Sequence, residues 1–316
     1  MPPLSNVGEF NELCPVCAST GKLYLHSKDK DYSFSGYNYH KCHKCRSIFL
    51  HKGVFSQEEL TQLHISNWLV RAFTFSPDKT EEQRAINDET MSGGIIKILR
   101  GIEQKKYRIL DFGCGDGELY RLLERMGHEV IGLDPLVIEN LSKFPNLISA
   151  GAEQLYNGNL EQLFPGFAKS FDIVILNGVL EHIFDPGQFV SELRSKLLAP
   201  NGYLIGAVPS GEDLQIKYLR GYAWTMFAPF HRTLFSQVGL MTLLKNTSMI
   251  EINIEASSLQ WGWTRALVWK LGIAKWHGNK RMRSSWFRFI DYRIDLFFNN
   301  VTKTNKANFT FICQYR

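Results

Sequence analysis

Arg108-Ile109-Leu110-Asp111-Phe112-Gly113-Cys114-Gly115-Asp116-Gly117 reads as a buried strand that stops in a turn only glycines make without strain. A short apolar run with an acid near its end, then Gly-x-Gly-x-Gly, then the helix-like Glu118 to Met126, describes a strand, a tight loop and a helix whose backbone approaches a ligand closely. The next strand, Glu129-Val130-Ile131-Gly132-Leu133-Asp134, ends in an acid 23 residues after Asp111. That is the spacing of a carboxylate that reaches a ribose diol from the end of the second strand of a βαβ unit. A dinucleotide fingerprint would need its third glycine at position 118, where Glu118 stands. An anion at the start of the helix would compete with a pyrophosphate for the same amides. The pocket is therefore read as nucleotide-type but not dinucleotide-binding.

Two further motifs follow in order: Phe171-Asp172-Ile173-Val174-Ile175-Leu176-Asn177-Gly178-Val179-Leu180-Glu181-His182, and Leu198-Ala199-Pro200-Asn201-Gly202-Tyr203-Leu204-Ile205. With them the chain resembles the class I S-adenosylmethionine-dependent methyltransferases. The resemblance implies an α/β fold, a doubly wound seven-stranded sheet with a reversed last strand, and S-adenosyl-L-methionine as cofactor. It implies that Gly113, Gly115 and Gly117 let the loop pass beneath the methionine and ribose parts of the cofactor. Asp111 would orient the loop or meet the cofactor ammonium through water, and Asp134 would accept from the ribose hydroxyls. Asn177 to Leu180 would face the cofactor and the methyl acceptor. Where the family often has an acid for the adenine amino group, this chain has Gly151 in Ala150-Gly151-Ala152-Glu153, which leaves the Ala152 backbone amide for that contact.

Six cysteines are present. Cys14-Pro15-Val16-Cys17 and Cys42-His43-Lys44-Cys45 form two Cys-x-x-Cys knuckles separated by 24 residues, whereas Cys114 and Cys313 stand alone. Four thiolates in two knuckles can surround one tetrahedral zinc, and so short a segment could not otherwise bury a core. A redox dithiol would place a single knuckle at a helix start near a βαβ pattern; here the intervening segment turns like a small ribbon. The expectation is a structural Zn2+ on Cys14, Cys17, Cys42 and Cys45, closed to substrate and water.

These anchors divide the chain into a zinc ribbon at 1–55, a helical connector or lid at 56–100, and a methyltransferase domain at 101–316 with a basic aromatic insertion at about 257–306. Helices are expected at 57–64 and 79–100, the latter with a break at Gly93-Gly94. Strands are expected at 108–112, 129–133, 147–149, 171–176, 202–208, 250–256 and 307–315. Between them come helices at 117–126, 137–143, 153–163, 187–197 and 234–244. Alternation of this kind is doubly wound α/β. Hydrophobic residues make up 44% of the chain and the formal charge is +5, too modest to single out nucleic acid. No apolar run approaches the 18 or more residues of a membrane span, and the N-terminus lacks the basic start and apolar core of a signal peptide, so a cytoplasmic location is expected.

Methyl transfer from a sulfonium is an in-line substitution, in which alignment and exclusion of water matter most. A base is needed where the acceptor must lose a proton, and His182 and His231 are the candidate catalytic residues because an imidazole titrates near neutrality. His182 follows the fourth core strand; His231 lies in Pro229-Phe230-His231-Arg232-Thr233-Leu234-Phe235-Ser236, which resembles the family's proline-histidine element. The insertion interleaves Trp261, Trp263, Trp269, Trp276 and Trp286 with ten basic residues from Arg265 to Lys306, against Asp291 and Asp295 alone. If the seventh strand is reversed, the insertion emerges at the ligand-binding edge. Trp224 and the insertion tryptophans would then wall an acceptor site in which Arg281, Arg283 and Arg288 bind phosphate or carboxylate. The bland alternative is a helical cap with a solvated basic face, and peripheral membrane contact is a third reading.

No Asn/Asp-Pro-Pro-Tyr element or Pro-Cys nucleophile follows the fourth strand, which disfavours base-amine and pyrimidine C5 acceptors. RNA is the competing acceptor, since some ribosomal guanine methyltransferases carry an N-terminal four-cysteine element. Residues 1–60 nevertheless hold seven Lys/Arg against six Asp/Glu, too even a balance for a phosphate-tracking surface. The layout is similar to bacterial methyltransferases acting on sugars or natural-product intermediates, which implies a small anionic or sugar-like acceptor. The non-enzymatic alternative is a binding protein that uses the fold as a scaffold.

Overall fold

The computed structural model describes residues 12–27, 36–51, 93–103, 105–115, 117–134, 147–148, 168–223, 225–257, 263–272, 293–294, 297, 301 and 305–316. These fall into two compact units, one within Met1–Val54, Pro209–Thr242 and Ala256–Phe309, the other within Phe55–Val208, Leu243–Glu255 and Thr310–Arg316.

The second unit is built on a seven-stranded sheet. Its strands are β5 (Arg108–Phe112), β6 (Glu129–Leu133), β7 (Leu147–Ile148), β8 (Phe171–Asn177), β9 (Leu198–Pro209), β11 (Ile250–Ser257) and β12 (Asn308–Gln314), in the order β11-β12-β9-β8-β5-β6-β7. β5 pairs in parallel with β6 and with β8, β6 with β7 and β8 with β9. β12 runs the other way: the Tyr315 amide donates to the Gly202 carbonyl, the Cys313 thiol reaches the Leu204 carbonyl, and Phe311 occupies the space where a Cβ on Gly206 would stand. As one index rises the other falls, the signature of an antiparallel pair and of the reversed last strand the family resemblance implies.

Alternation along β5 sends neighbouring residues to opposite faces. Ile109, with Val130, Ile173, Ile175 and Ile205, packs against α1 (Gly93–Gly101) through Ile95, Ile96 and Leu99, and against α2 (Glu118–Arg125) through Leu119, Leu122 and Leu123. On the opposite face Phe112 meets Phe189 of α3 (Pro186–Lys196) edge-on, 5.2 Å between ring centroids. Both faces are thus covered, which is why these strands read as near-continuous apolar runs, broken in β5 by the buried Asp111. α3 starts where Asp185 accepts from the Gln188 amide at 2.8 Å with Pro186 in the first turn.

The first unit holds a five-stranded sheet of β1 (Glu12–Leu13), β2 (Thr20–Ser27), β3 (Tyr37–Cys42), β4 (Ile48–Leu50) and β10 (Thr233–Leu234), in that order and antiparallel throughout. Beside it, α6 (Trp263–Lys270) packs Trp263 and Ala266 on Leu219 of α4 (Leu214–Leu219), and Trp269 stands edge-on to Tyr222 at 4.6 Å.

Several boundaries differ from the sequence expectation. Residues 209–242 and the described part of the insertion fall in the compact unit that holds the ribbon, and β10 is the edge strand of its sheet. The helix expected from Leu234 starts instead at Gln237, as α5 (Gln237–Asn246), since Thr233 and Leu234 are drawn into pairing with Phe49 and Ile48. β9 begins at Leu198 rather than 202, its pairing with β8 shifting register between Phe171 and Ile173. The helices expected at 57–64, 137–143 and 153–163 lie outside the described residues; of that expected over 79–100, only α1 is described, and it starts at Gly93. Among the described residues no helix is long and apolar enough to cross a membrane.

Candidate functional site: a glycine loop, two buried acids and a four-cysteine centre

In the sheet unit the chain leaves β5 through Gly113, Gly115 and Gly117, all left-handed at φ +76, +56 and +78. The loop is tied to β6, whose Leu133 carbonyl accepts from the amides of Gly113 and Cys114 at 2.7 and 3.2 Å. Asp134 then accepts from the Gly115 amide at 2.9 Å. The two outer positions of the Gly113-Cys114-Gly115 run differ in kind. A Cβ on Gly113 would stand 2.6 Å from Val179 Cγ2, so that glycine is required by packing as well as by φ. A Cβ on Gly115 would meet nothing within 4 Å among the described residues, so there the requirement for glycine comes from φ alone. Asp111 is buried; burial first and the Asp134 carboxylate second push its carboxyl up to about 7, with the Tyr120 backbone acting in the opposite sense.

Asn177 ends β8 half-buried, and Gly178, at φ +69, donates its amide to the Ala207 carbonyl at 2.9 Å. Leu180 is fully buried in the short 3-10 turn Leu180–His182 that follows. His182 is partly exposed and its amide donates to Val179. Glu181, beside it in sequence, is 3% exposed, and burial pushes its carboxyl up to about 8. Its Oε1 lies 3.9 Å from His182 Nε2, beyond hydrogen-bond reach. Thus Asp111, Gly113, Gly115, Gly117, Asp134, Asn177, Leu180 and His182 all belong to loops or strand ends of one unit, whereas His231 belongs to the other. Ala152, Trp224, Arg281, Arg283 and Arg288 lie outside the described residues.

The left-handed backbone at Gly115 and a short buried acid at the end of the neighbouring strand fit a ligand with a ribose. A carboxylate has about four acceptor sites, so the bond from Gly115 leaves Asp134 capacity for a diol. None of this needs a pyrophosphate, in agreement with Glu118 at the start of α2.

In the ribbon unit the four sulfurs of Cys14, Cys17, Cys42 and Cys45 lie within 4.8 Å of one another, Cys14 to Cys45 at 3.6 Å and Cys17 to Cys42 at 3.5 Å. A tetrahedral zinc with Zn–S bonds of about 2.3 Å sets its sulfurs roughly 3.8 Å apart, whereas a disulfide needs about 2 Å. All four are free thiols and the set fits one metal ion. The two knuckles share one geometry. Each is followed by a left-handed residue, Ala18 at φ +56 and Arg46 at φ +66. Each first cysteine donates its amide to the carbonyl five residues on, Cys14 to Ser19 and Cys42 to Ser47, both at 2.9 Å.

His231 is fixed at both ends. Its carbonyl accepts from the buried Tyr39 hydroxyl at 2.7 Å, and its Nδ1 lies 2.8 Å from the Thr225 carbonyl. A carbonyl can only accept, so Nδ1 carries the proton of the neutral ring and the lone pair lies on Nε2. Neither Tyr39 nor the Thr225 carbonyl was recognisable beforehand: one is an unremarkable ribbon tyrosine 192 residues away, the other a backbone group.

A seven-stranded sheet of this order with a reversed last strand, left-handed glycines after its first core strand and a buried acid after its second, defines the class I methyltransferase fold. The chain belongs to the methyltransferase-domain family, whose model matches residues 77–247, more than half its length. It is 37% identical over 101 residues to a ubiquinone biosynthesis O-methyltransferase of Caulobacter sp. strain K31, covering 32% of this chain and 40% of that protein. It is 32% identical over 124 residues to the human mitochondrial ubiquinone biosynthesis O-methyltransferase, covering 37% and 32% respectively. The chain thus spans about two fifths or less of the curated relatives it matches. Among solved structures, a methyltransferase of Archaeoglobus fulgidus is similar at 19% identity with a TM-score of 0.47, covering 72% of this chain and 94% of that one.

Proposed function

We propose that the protein transfers the methyl group of S-adenosyl-L-methionine to a small polar acceptor of the sugar, nucleotide-sugar or related metabolite class. The observation that carries the cofactor half is the left-handed backbone at Gly115 beside the buried Asp134. When bound, the cofactor supplies a methyl group already activated on a sulfonium, so the residues here need only bind, align and exclude water. Gly113, Gly115 and Gly117 would let the loop pass beneath the cofactor, Asp134 would hold the ribose hydroxyls and the Ala152 amide would be left for the adenine. Asn177 and Leu180 form the wall between cofactor and acceptor.

His231 is the preferred base: with Nδ1–H bonded to the Thr225 carbonyl, the basic nitrogen of its neutral ring is Nε2. His182 is the alternative. Trp224 would provide an apolar wall and Arg281, Arg283 and Arg288 would hold an anionic group of the substrate, as in a sugar nucleotide. The ubiquinone biosynthesis O-methyltransferases to which this chain is similar are named for O-methylation in the making of a small molecule, which supports a small-molecule acceptor over RNA. In the RNA reading the ribbon would recognise the acceptor.

Incubating the protein with methyl-labelled cofactor and two separate pools, total RNA and nuclease-treated metabolites, decides the matter. Label is expected in the low-molecular-weight pool. Label confined to RNA rejects the acceptor assignment, and an unchanged rate in both His182→Ala and His231→Ala rejects the base chemistry.

A further inference from the structure

The ribbon and the His231 segment are joined by strand pairing and by side-chain hydrogen bonds, all of them inside one unit. β10 pairs with β4 through Thr233 with Phe49 and Leu234 with Ile48, and the Leu50 amide donates to the Arg232 carbonyl at 2.7 Å. One residue earlier, the fully buried Tyr39 donates to the His231 carbonyl. On the other side of β10, the Ser236 hydroxyl donates to the carbonyl of Cys45, itself one of the four thiol residues, and accepts from the Gly239 amide at 2.8 Å to cap α5. The Ser236 amide donates to the hydroxyl of Ser47, at 3.2 Å, and Ser47 is the residue whose carbonyl closes the second knuckle. Gly239 has no Cβ to spare, because Ser47 Oγ occupies its place.

We propose that the four-cysteine centre is the anchor that positions His231, with Tyr39 and Ser236 as the positioning residues that carry the ribbon's geometry into the histidine segment. The inference rests on the reading of His231 as the base. The physical reason is reach. A loop residue placed by its neighbours alone samples several ångströms, and a misplacement of about 1 Å costs a catalytic group on the order of a hundredfold in rate. Residues 225–236 are short of regular structure apart from the two-residue β10. What fixes them is hydrogen bonding to β3, β4 and the second knuckle, and those elements keep their shape only while the four thiolates are held together. Tyr39 fixes the His231 backbone while the Thr225 carbonyl fixes its ring, so movement of the backbone alters the bond that sets the tautomer.

The test uses the full zinc-loaded chain and its Tyr39→Phe variant, which keeps the buried ring and removes only the hydroxyl. Ring-nitrogen NMR of His231, assigned by loss of its signals in His231→Gln, reads tautomer and pKa without any acceptor. In the parent the neutral ring is expected as the single tautomer protonated on Nδ1. In Tyr39→Phe, with zinc still at one per chain and S-adenosylmethionine affinity unchanged, the signals should move toward a tautomer mixture and kcat should fall roughly tenfold or more, with KM for the cofactor unaltered. Withdrawal of zinc by a chelator should move the same signals in the same direction while cofactor affinity stays. Unchanged His231 signals in the zinc-loaded variant, or after zinc withdrawal, overturn the proposal. Absence of methyl transfer by the parent overturns the functional reading instead, and leaves the NMR result legible.

Discussion

At the scale of single residues, the loop glycines separate two requirements that the sequence shows as one pattern. Gly113 is demanded by Val179 as well as by its φ, and Gly115 by its left-handed φ alone among the described residues, a distinction only coordinates supply. The buried acids carry a second message. Asp111 and Glu181 hold their protons up to about 7 and about 8, chiefly because burial disfavours the charged form. An acid whose folded pKa exceeds its unfolded value gives stability that is full below the unfolded value, near 4, and lost as pH rises through the folded one. Within that window each such group costs about 1.4 kcal/mol per pH unit. The urea midpoint of the cofactor-free protein is therefore expected to fall between pH 5 and 8, and Asp111→Asn, which cannot ionise, should flatten the slope below pH 7. Parallel slopes for parent and variant would refute the assignment. The sequence marks both acids by position, Asp111 before the glycines and Glu181 beside a histidine, but burial depends on what the rest of the chain lays over them.

At the scale of elements, what the sequence discloses depends on how locally the stabilising partner lies. β5, β6 and β8 are legible because a strand covered on both faces is apolar at nearly every central position, the buried Asp111 of β5 being the exception. The two knuckles are legible because their ligands recur at fixed spacing, and the left-handed residues after each, Ala18 and Arg46, follow from the turn that spacing imposes. β10 is not legible. Thr233-Leu234 carries no strand pattern of its own and pairs with residues some 185 positions earlier, while the apolar spacing onward from Leu234 suits a helix equally well. The same holds for the start of β9, where Pro200-Asn201-Gly202 reads as a turn and Asn201 is indeed left-handed at φ +62, yet pairing begins before it. For the metal centre the expectation is one zinc per chain by elemental analysis, and a loss of protection at β3, β4 and β10 in hydrogen exchange for Cys17→Ser, with β5, β6 and β8 unaffected. Protein purified without chelator that contains no zinc, or a disulfide between knuckle cysteines, would contradict the assignment.

At the scale of the whole molecule, the chain contributes to the ribbon unit from three separate stretches and to the sheet unit from three others. A fragment ending near residue 55 would therefore lack β10, the edge strand of its own sheet, and with it the bonds from Ser236 to Cys45 and Ser47. Residues 209–242, which follow the fifth core strand, and the start of the insertion at α6 belong to that same unit, and so does His231. The chemistry assigned to this chain nevertheless stands or falls with the loop of the other unit. Titration of the folded protein with S-adenosyl-L-methionine in a calorimeter tests it most directly. The expected result is one saturable site, lost in Gly115→Val, where bulk enters the loop that would pass beneath the cofactor, and weakened by roughly tenfold or more in Asp134→Ala, where a charge-assisted hydrogen bond to the ribose disappears, both variants remaining folded by circular dichroism. A folded parent protein that releases no heat and takes up no S-adenosyl-L-methionine would contradict the account and leave the fold serving as a scaffold for something else.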